Sequence, residues 1–212
     1  MIGKKYQTNN SSPHSVNSLI SRIQANGSTI KNVLFDYDST ISKVPIDWPQ
    51  ARVAYRAYLS NVFPSLVLFD EARVDEMEAL ALRHAPDAKE GVFRFRFDLE
   101  SALDGGHEAL PEICACIRHL AGKPDQRLFI ISNNLHRTVE AGLNQLGLSD
   151  AFEAILGVDD VGVPKPDTRA FSLLQESHGI TPTECIFIGD NDRTDGGFCR
   201  ALDIPFINIK ES

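Results

Sequence analysis

Hydrophobic and polar positions divide this chain into short, wholly apolar runs separated by longer amphipathic stretches. Five runs are continuous: Asn32–Asp36, Arg127–Ser132, Glu153–Gly157, Cys185–Gly189 and Ile204–Ile209. Runs of this length without polar alternation read as strands buried on both faces. Between the later runs, apolar residues recur at helical spacing. This predicts helices from about Glu108 to Ala121, Leu135 to Leu146, Thr168 to His178, and about 193 to 202. Strands alternating with helices of about ten to fifteen residues imply right-handed βαβ crossovers and a three-layer α/β sandwich around a parallel sheet.

Two segments depart from this alternation. Val16, Leu19, Ile20 and Ile23 fall at i, i+3, i+4 and i+7, predicting an amphipathic helix from about Ser15 to Gln24 that stops near Gly27 and docks on the body of the protein. Residues 1–14, rich in Ser, Asn and Lys, are expected to be disordered or loosely attached, so that 1–30 form an N-terminal extension. The interval 41–103 is too long for a simple connection and reads as an inserted, mostly helical unit. Its helices are predicted over Trp48–Val62 and Phe69–His84, the second with its acids facing outward. The core then comprises 31–40 and 104–212, with alternation resuming near Gly105–Gly106.

Charge narrows the choice of partner. The 212 residues carry a formal net charge of −8, which argues against nucleic acid and against an anionic membrane surface. No apolar stretch is long enough to span a bilayer, and the polar N-terminus lacks the apolar segment of a signal peptide, so the expected location is cytoplasmic. The four cysteines are then expected to be ordinary reduced thiols, since the spacing of Cys114 and Cys116 on a helix suits neither a disulfide nor zinc. His84, His107, His119, His136 and His178 share no spacing with one another or with the acids and read as surface or satisfied histidines.

The chemistry lies in the turns after the runs. Asp36-Tyr37-Asp38-Ser39-Thr40 places two carboxylates side by side directly after a buried strand. At about 4 Å and an effective dielectric near 20, such a pair repels by about 4 kcal/mol. A divalent cation is the natural compensator. Asp190 and Asp195 follow the fourth run, where Gly189 lets the backbone turn abruptly, and hard oxygen ligands on two loops suit Mg2+. Ser132 and Asn133 follow the second run at the start of a helix, where a hydroxyl and free amides can hold an anion. Lys165 stands between Pro164 and Pro166, which stiffen its loop. Singly, each has a structural alternative: an Asx turn, an N-cap, a solvated acidic turn or a surface lysine. In this order, each after a strand that ends in one crevice, they converge on a site.

These motifs resemble the haloacid dehalogenase superfamily of hydrolases, over residues 32 to 209. Two aspartates flank one residue with Thr40 two beyond the second. Ser132 follows its strand, Lys165 opens Lys-Pro-Asp, and Gly189-Asp190 is followed by a further Asp five residues on. The resemblance implies a Rossmann-like sheet of order 3-2-1-4-5 with a helical cap over 41–103. It implies a Mg2+-dependent phosphatase acting on a small phosphorylated metabolite. Asp36 would be the nucleophile that forms an aspartyl-phosphate, and Asp38 the general acid and base. Asp36, Asp190 and the carbonyl of Asp38 would bind Mg2+ with Asp195 as a further or outer ligand, and Ser132, Asn133 and Lys165 would hold phosphate. Dehalogenases of the family lack an acid at the position of Asp38, which disfavours carbon–halogen cleavage. Two alternatives stay open: a phosphotransferase or phosphomutase with the same covalent chemistry, and a catalytically idle phospholigand-binding regulatory protein. Substrate choice would rest with the cap, where Trp48, Arg52, Arg56, Arg94 and Arg96 are candidates. In Phe93-Arg94-Phe95-Arg96-Phe97 the aromatic and basic residues alternate, with either the arginines meeting substrate or the phenylalanines facing inward and the arginines solvated.

Overall fold

The structure, a computed structural model, describes residues 15–27, 30–101 and 106–211. The expectation for 1–14, and Leu103 to Gly105 at the end of the insert, lie outside the described residues. In chain order the elements are α1 (Val16–Ala25), β1 (Asn32–Phe35), β2 (Ser42–Lys43), α2 (Trp48–Val62), α3 (Val74–His84), α4 (Lys89–Ser101), β3 (Glu108–Ala109), α5 (Pro111–Ala121), β4 (Arg127–Ile131), α6 (His136–Leu146), β5 (Ala154–Leu156), α7 (Val158–Val161), α8 (Arg169–His178), β6 (Cys185–Gly189), α9 (Gly197–Leu202) and β7 (Phe206–Asn208). A single π-helical turn, Asp192–Gly196, leads into α9.

The main sheet is parallel, with order β5-β4-β1-β6-β7. Counting its five strands along the chain, this is 3-2-1-4-5. Within it, alternation survives as a choice between two apolar layers. Val33, Phe35, Leu128, Ile130, Ile186 and Ile188 join one core with Leu19 and Ile23 of α1 and Ile113, Ile117 and Val139 of α5 and α6. Leu34, Phe129, Ile131 and Phe187 join the other, with Phe171 and Leu174 of α8 and Phe198 of α9. Fully burying each such side chain contributes about 1.5–3 kcal/mol. The sheet is thus covered on both faces, and α1 docks beside α5 in the first layer. β5 is an exception to wholly buried strands: it lies at the sheet edge and its three residues are only half buried.

Residues 108–109 do not begin a helix. They pair antiparallel with β2, and this short ribbon brackets the insert, while Pro111 starts α5. Among the described residues the insert holds three α-helices, one more than the apolar pattern predicts. It has its own core of Tyr55, Leu59, Met77, Ala81 and Val92. α3 begins at Val74, not Phe69, and Glu78 is fully buried where the pattern placed acids outward. Arg96 accounts for this, pairing with it at 2.9 Å. Phe93 to Phe97 lies inside α4, where period-2 alternation has no structural meaning because neighbours two apart point to different sides. Phe93 packs with Leu135 and Val158 of the core, Phe95 stacks on Tyr58 with centroids 4.1 Å apart, Arg94 is exposed and Arg96 is buried. Among the described residues no helix is long and apolar enough to cross a membrane, and all four cysteines are free and buried.

Candidate active site

The carboxyl ends of β4, β1 and β6 are neighbours, so the loops leaving these three strands enter one crevice. After β1 the chain turns tightly: the Tyr37 carbonyl accepts from the N–H groups of Thr40, Ile41 and Ser42 at 3.2, 2.8 and 3.2 Å. Ser39 takes a left-handed φ of 61°, an uncommon conformation for a residue with a side chain. The Tyr37 hydroxyl is buried and meets His107 Nδ1 at 2.8 Å, anchoring the turn from below. The turn thereby holds Asp36 and Asp38, both of which line one cavity.

Asp36 is buried. Its Oδ1 accepts from Lys165 Nζ at 2.8 Å and its Oδ2 from Thr40 Oγ1 at 3.2 Å. Burial pushes its pKa up to about 7; Lys165 opposes the rise, and Asp195 and Asp190 add to it. Asp38 is held differently: Val44 N–H donates to one oxygen and Trp48 Nε1 to the other, both at 3.1 Å. Burial raises its pKa, and these two hydrogen bonds pull it back.

Carboxylate oxygens of Asp36, Asp190 and Asp195 lie within 4.8 Å of one another. The approach depends on Gly189, since a Cβ there would stand 2.4 Å from Asp195 Oδ2. Lys165 Nζ also donates to the Ile131 carbonyl at 2.7 Å and sits 2.7 Å from Asp195 Oδ1. That oxygen is nevertheless buried without a directed hydrogen bond. Burial works against the lysine's charge, and Asp195 and Asp36 outweigh it, so its pKa moves up. Three hard oxygen donors gathered from two loops form a set that fits Mg2+. The Asp38 carboxylate is engaged elsewhere and is not part of this cluster.

The residues expected to hold phosphate are arranged less simply. Ser132 is buried at the end of β4, and its hydroxyl donates to Asn134 Oδ1 at 3.2 Å while accepting from Asn134 N–H at 3.1 Å. Asn133 and Asn134 line the cavity. The Asn133 side chain clamps the Lys165 backbone, accepting its N–H at 2.7 Å and donating to its carbonyl at 3.3 Å. Asn134 Nδ2 is buried with no partner.

The cavity above these residues measures about 370 Å3, within the range of small-molecule clefts. From the insert, Trp48, Arg52 and Arg96 line it. Arg56 and Arg94 do not. Arg56 donates to the carbonyls of Phe69 and Asp70, tying down the loop before α3, and Arg94 lies on a separate groove with Tyr58 and Asp98. The helical geometry of α4 decides this, turning Arg96 inward between Glu78 and Glu100 and its neighbour Arg94 away. Arg73, Thr194 and Lys210 also line the cavity, and Thr194 carries no sequence signal that singles it out. Lys210, which pairs with Asp190, is within reach of the same rule as the acids because it follows the fifth apolar run. Arg73 occupies the N-cap position at the true start of α3, its N–H donating to Glu76 Oε2 at 2.8 Å, and an apolar pattern that begins the helix at Phe69 hides it.

Fold and site together define a doubly wound α/β protein with an acidic crevice at the switch point of its sheet. The family model described as haloacid dehalogenase-like hydrolase matches residues 30–203, and the chain belongs to that family. Among curated relatives, an (S)-2-haloacid dehalogenase from Xanthobacter autotrophicus is 34% identical over 41% of this chain and 33% of its own length. The pyrophosphatase PpaX of Listeria monocytogenes is 29% identical over 57% of this chain and 48% of its own. The chain therefore spans between a third and a half of these relatives' lengths. In fold it is similar to a haloacid dehalogenase-like family protein from Streptococcus pneumoniae, with a TM-score of 0.57, 17% identity, and coverage of 86% of this chain and 85% of that one.

Proposed function

We propose that this hydrolase is a Mg2+-dependent phosphomonoesterase working through an aspartyl-phosphate on Asp36. The observation that carries this reading is Asp38, fixed over the cleft by Val44 N–H and Trp48 Nε1. An alkoxide leaving group needs a proton and a halide does not, so a positioned second acid favours phosphate ester chemistry. Asp36 attacks phosphorus, and the bond to the leaving oxygen breaks as Asp38 gives that oxygen its proton. Asp38, now a carboxylate, takes a proton from water; the water oxygen attacks phosphorus and the bond to Asp36 breaks, restoring both residues.

Asp36, Asp190 and Asp195 would hold the metal, with the main-chain carbonyl of Asp38. Mg2+ supplies charge neutralisation between these carboxylates and the incoming phosphate. Lys165 balances Asp36 and Asp195 from below, Asn133 fixes the lysine's backbone, and Asn134 Nδ2 offers an unused donor to a phosphate oxygen. The insert acts as a cap that excludes water and reads the leaving group. That one relative is named a pyrophosphatase agrees with phosphoryl chemistry. That another is named a 2-haloacid dehalogenase supports a second reading, attack of Asp36 on a carbon–halogen bond without use of Asp38.

Turnover in 18O-labelled water with Mg2+ separates these readings. Label in phosphate released from acyl, aryl and alkyl phosphates is expected. Phosphoryl transfer to an added sugar without label in phosphate would make the protein a phosphotransferase. Halide release from 2-haloacids with no phosphate release would make it a dehalogenase. Inactivity on all of them would leave a phospholigand-binding protein.

A further inference from the structure

Two cations on the cleft wall have no task in the hydrolysis of the reacting phosphate. Of the basic side chains that line the cavity, Lys165 is engaged by Asp36 and Asp195, Lys210 by Asp190, and Arg96 by Glu78 and Glu100. Arg52 on α2 and Arg73 at the N-terminal cap of α3 line the same cavity. Their guanidinium groups make no ion pair or hydrogen bond among the described residues.

Among the acids close to them in sequence, Asp47, Asp70, Asp75 and Glu76 are already engaged. Asp47 accepts the Gln50 N–H at 3.0 Å to cap α2. Asp75 and Glu76 face Arg193 at 2.9 and 3.1 Å. The chain as a whole has 29 acidic against 21 basic side chains, so two unpaired arginines lining one cleft run against its composition. Both stand on the insert side, whereas Asp36, Asp190 and Lys165 enter from the ends of the parallel strands and the loops beside them. Guanidinium groups lining a concave site concentrate positive potential and recognise planar or tetrahedral oxyanions through charge-assisted hydrogen bonds.

We propose that Arg52 and Arg73 form an anion subsite for the leaving group, so that the substrate is a small phosphomonoester bearing a second anionic group, a carboxylate or a second phosphate, on its alcohol part. This rests on the phosphatase reading of Asp36 and Asp38. The reacting phosphate is held at the strand ends, and the second anion is held by the insert. The small cavity limits the distance between them to that of a short-chain compound.

The test uses the full chain with Mg2+ and two matched pairs of probes. One is the phosphate ester of 3-hydroxypropanoate against its methyl ester. The other is propane-1,3-diol bisphosphate against the monophosphate. Both kcat/KM and calorimetric affinity are measured. The charged member of at least one pair is expected to be favoured by about 10- to 100-fold, the range of a hydrogen bond to a charged group. Which pair shows it identifies carboxylate or phosphate. In Arg52→Gln, Arg73→Gln and the double variant, that ratio falls towards unity, with melting curves confirming the fold at these half-buried and exposed positions.

A wild-type ratio near unity in both pairs, with turnover intact, overturns the subsite and leaves the phosphatase reading standing. Loss of turnover in the variants that is equal for charged and uncharged probes also overturns it, because the arginines would then serve the reacting phosphate. Charge preference in binding that the variants abolish, with no hydrolysis of any probe, would keep the subsite and reject the phosphatase reading.

Discussion

Lys165 Nζ lies 2.8 Å from Asp36 Oδ1, although 129 residues separate them in the chain. This contact ties the end of β1 to the loop after α7 and places a buried cation among buried acids. Lys165→Met removes that cation while keeping much of the side chain's length. Breaking a buried ion pair from one side costs about 3–5 kcal/mol. The variant is expected to lose stability on that scale in denaturant titrations and to recover part of it with Mg2+. Unchanged stability without metal would show that the acids find other compensation.

Asp36→Asn is expected to abolish turnover without destabilising the metal-free protein. Burial, with Asp195 and Asp190, disfavours its charge by more than Lys165 supports it, the amide removes that charge, and Lys165 keeps Asp195 as a partner. The melting temperature without Mg2+ should be equal to or above that of the parent. Near wild-type activity would exclude Asp36 as the nucleophile.

Trp48 is the single tryptophan, and its Nε1 donates to the proposed acid Asp38 at 3.1 Å. Trp48→Phe keeps most of the ring and deletes the donor, which is worth about 1 kcal/mol for a neutral donor. The expected result is a several-fold fall in kcat/KM for alkyl phosphates and a smaller one for acyl phosphates, whose leaving groups need less protonation. Equal slowing of both would separate Trp48 from proton transfer.

Burial pushes Glu78 up to about 7 against the opposing pull of Arg96. A carboxyl whose folded pKa lies above its unfolded value of 4.5 holds more protons in the folded state between those limits. Stability is therefore lost as pH rises from 4.5 towards 7, by at most about 1.4 kcal/mol per pH unit from this group. Glu78→Gln should flatten that part of the stability profile, measured by denaturant unfolding at stepped pH. Arg96 keeps Glu100 as a partner in the variant. An unaltered slope would assign the pH dependence to other groups.

Much of the architecture is legible along the chain. Unbroken apolar runs bounded by turns read as strands covered on both faces, true of all but the edge strand β5, and the order of strand and helix then restricts the sheet to a doubly wound parallel one. The helix Trp48–Val62 is readable to its ends because its apolar spacing and its Asp47-Trp48-Pro49 start are local signals. The gathering of acids after β1 and β6 is readable because parallel strands end on the same side. Signals that depend on a distant partner are not. The alternation of Phe93 to Phe97 resembles a surface stripe because the chain does not announce that a helix will form there. Glu78 reads as solvated because nothing near it in sequence marks its partner, and the cation that buries it belongs to another helix. The pairing of 108–109 with Ser42–Lys43 and the true start of α3 at Val74 depend likewise on contacts across the insert.

The amino-acid order by itself determined the five strands of the main sheet, their direction and which loops share the crevice, because these follow from periodicity and chain connectivity. Only the tertiary structure decided which charges in that crevice are paired. Lys165, Arg96 and Lys210 are matched with acids from remote segments, while Arg52 and Arg73 are left facing the cavity. The physical reason is the short range of charge pairing. A salt bridge is a matter of a few ångströms between side chains, and that distance is set by packing, not by position in the chain.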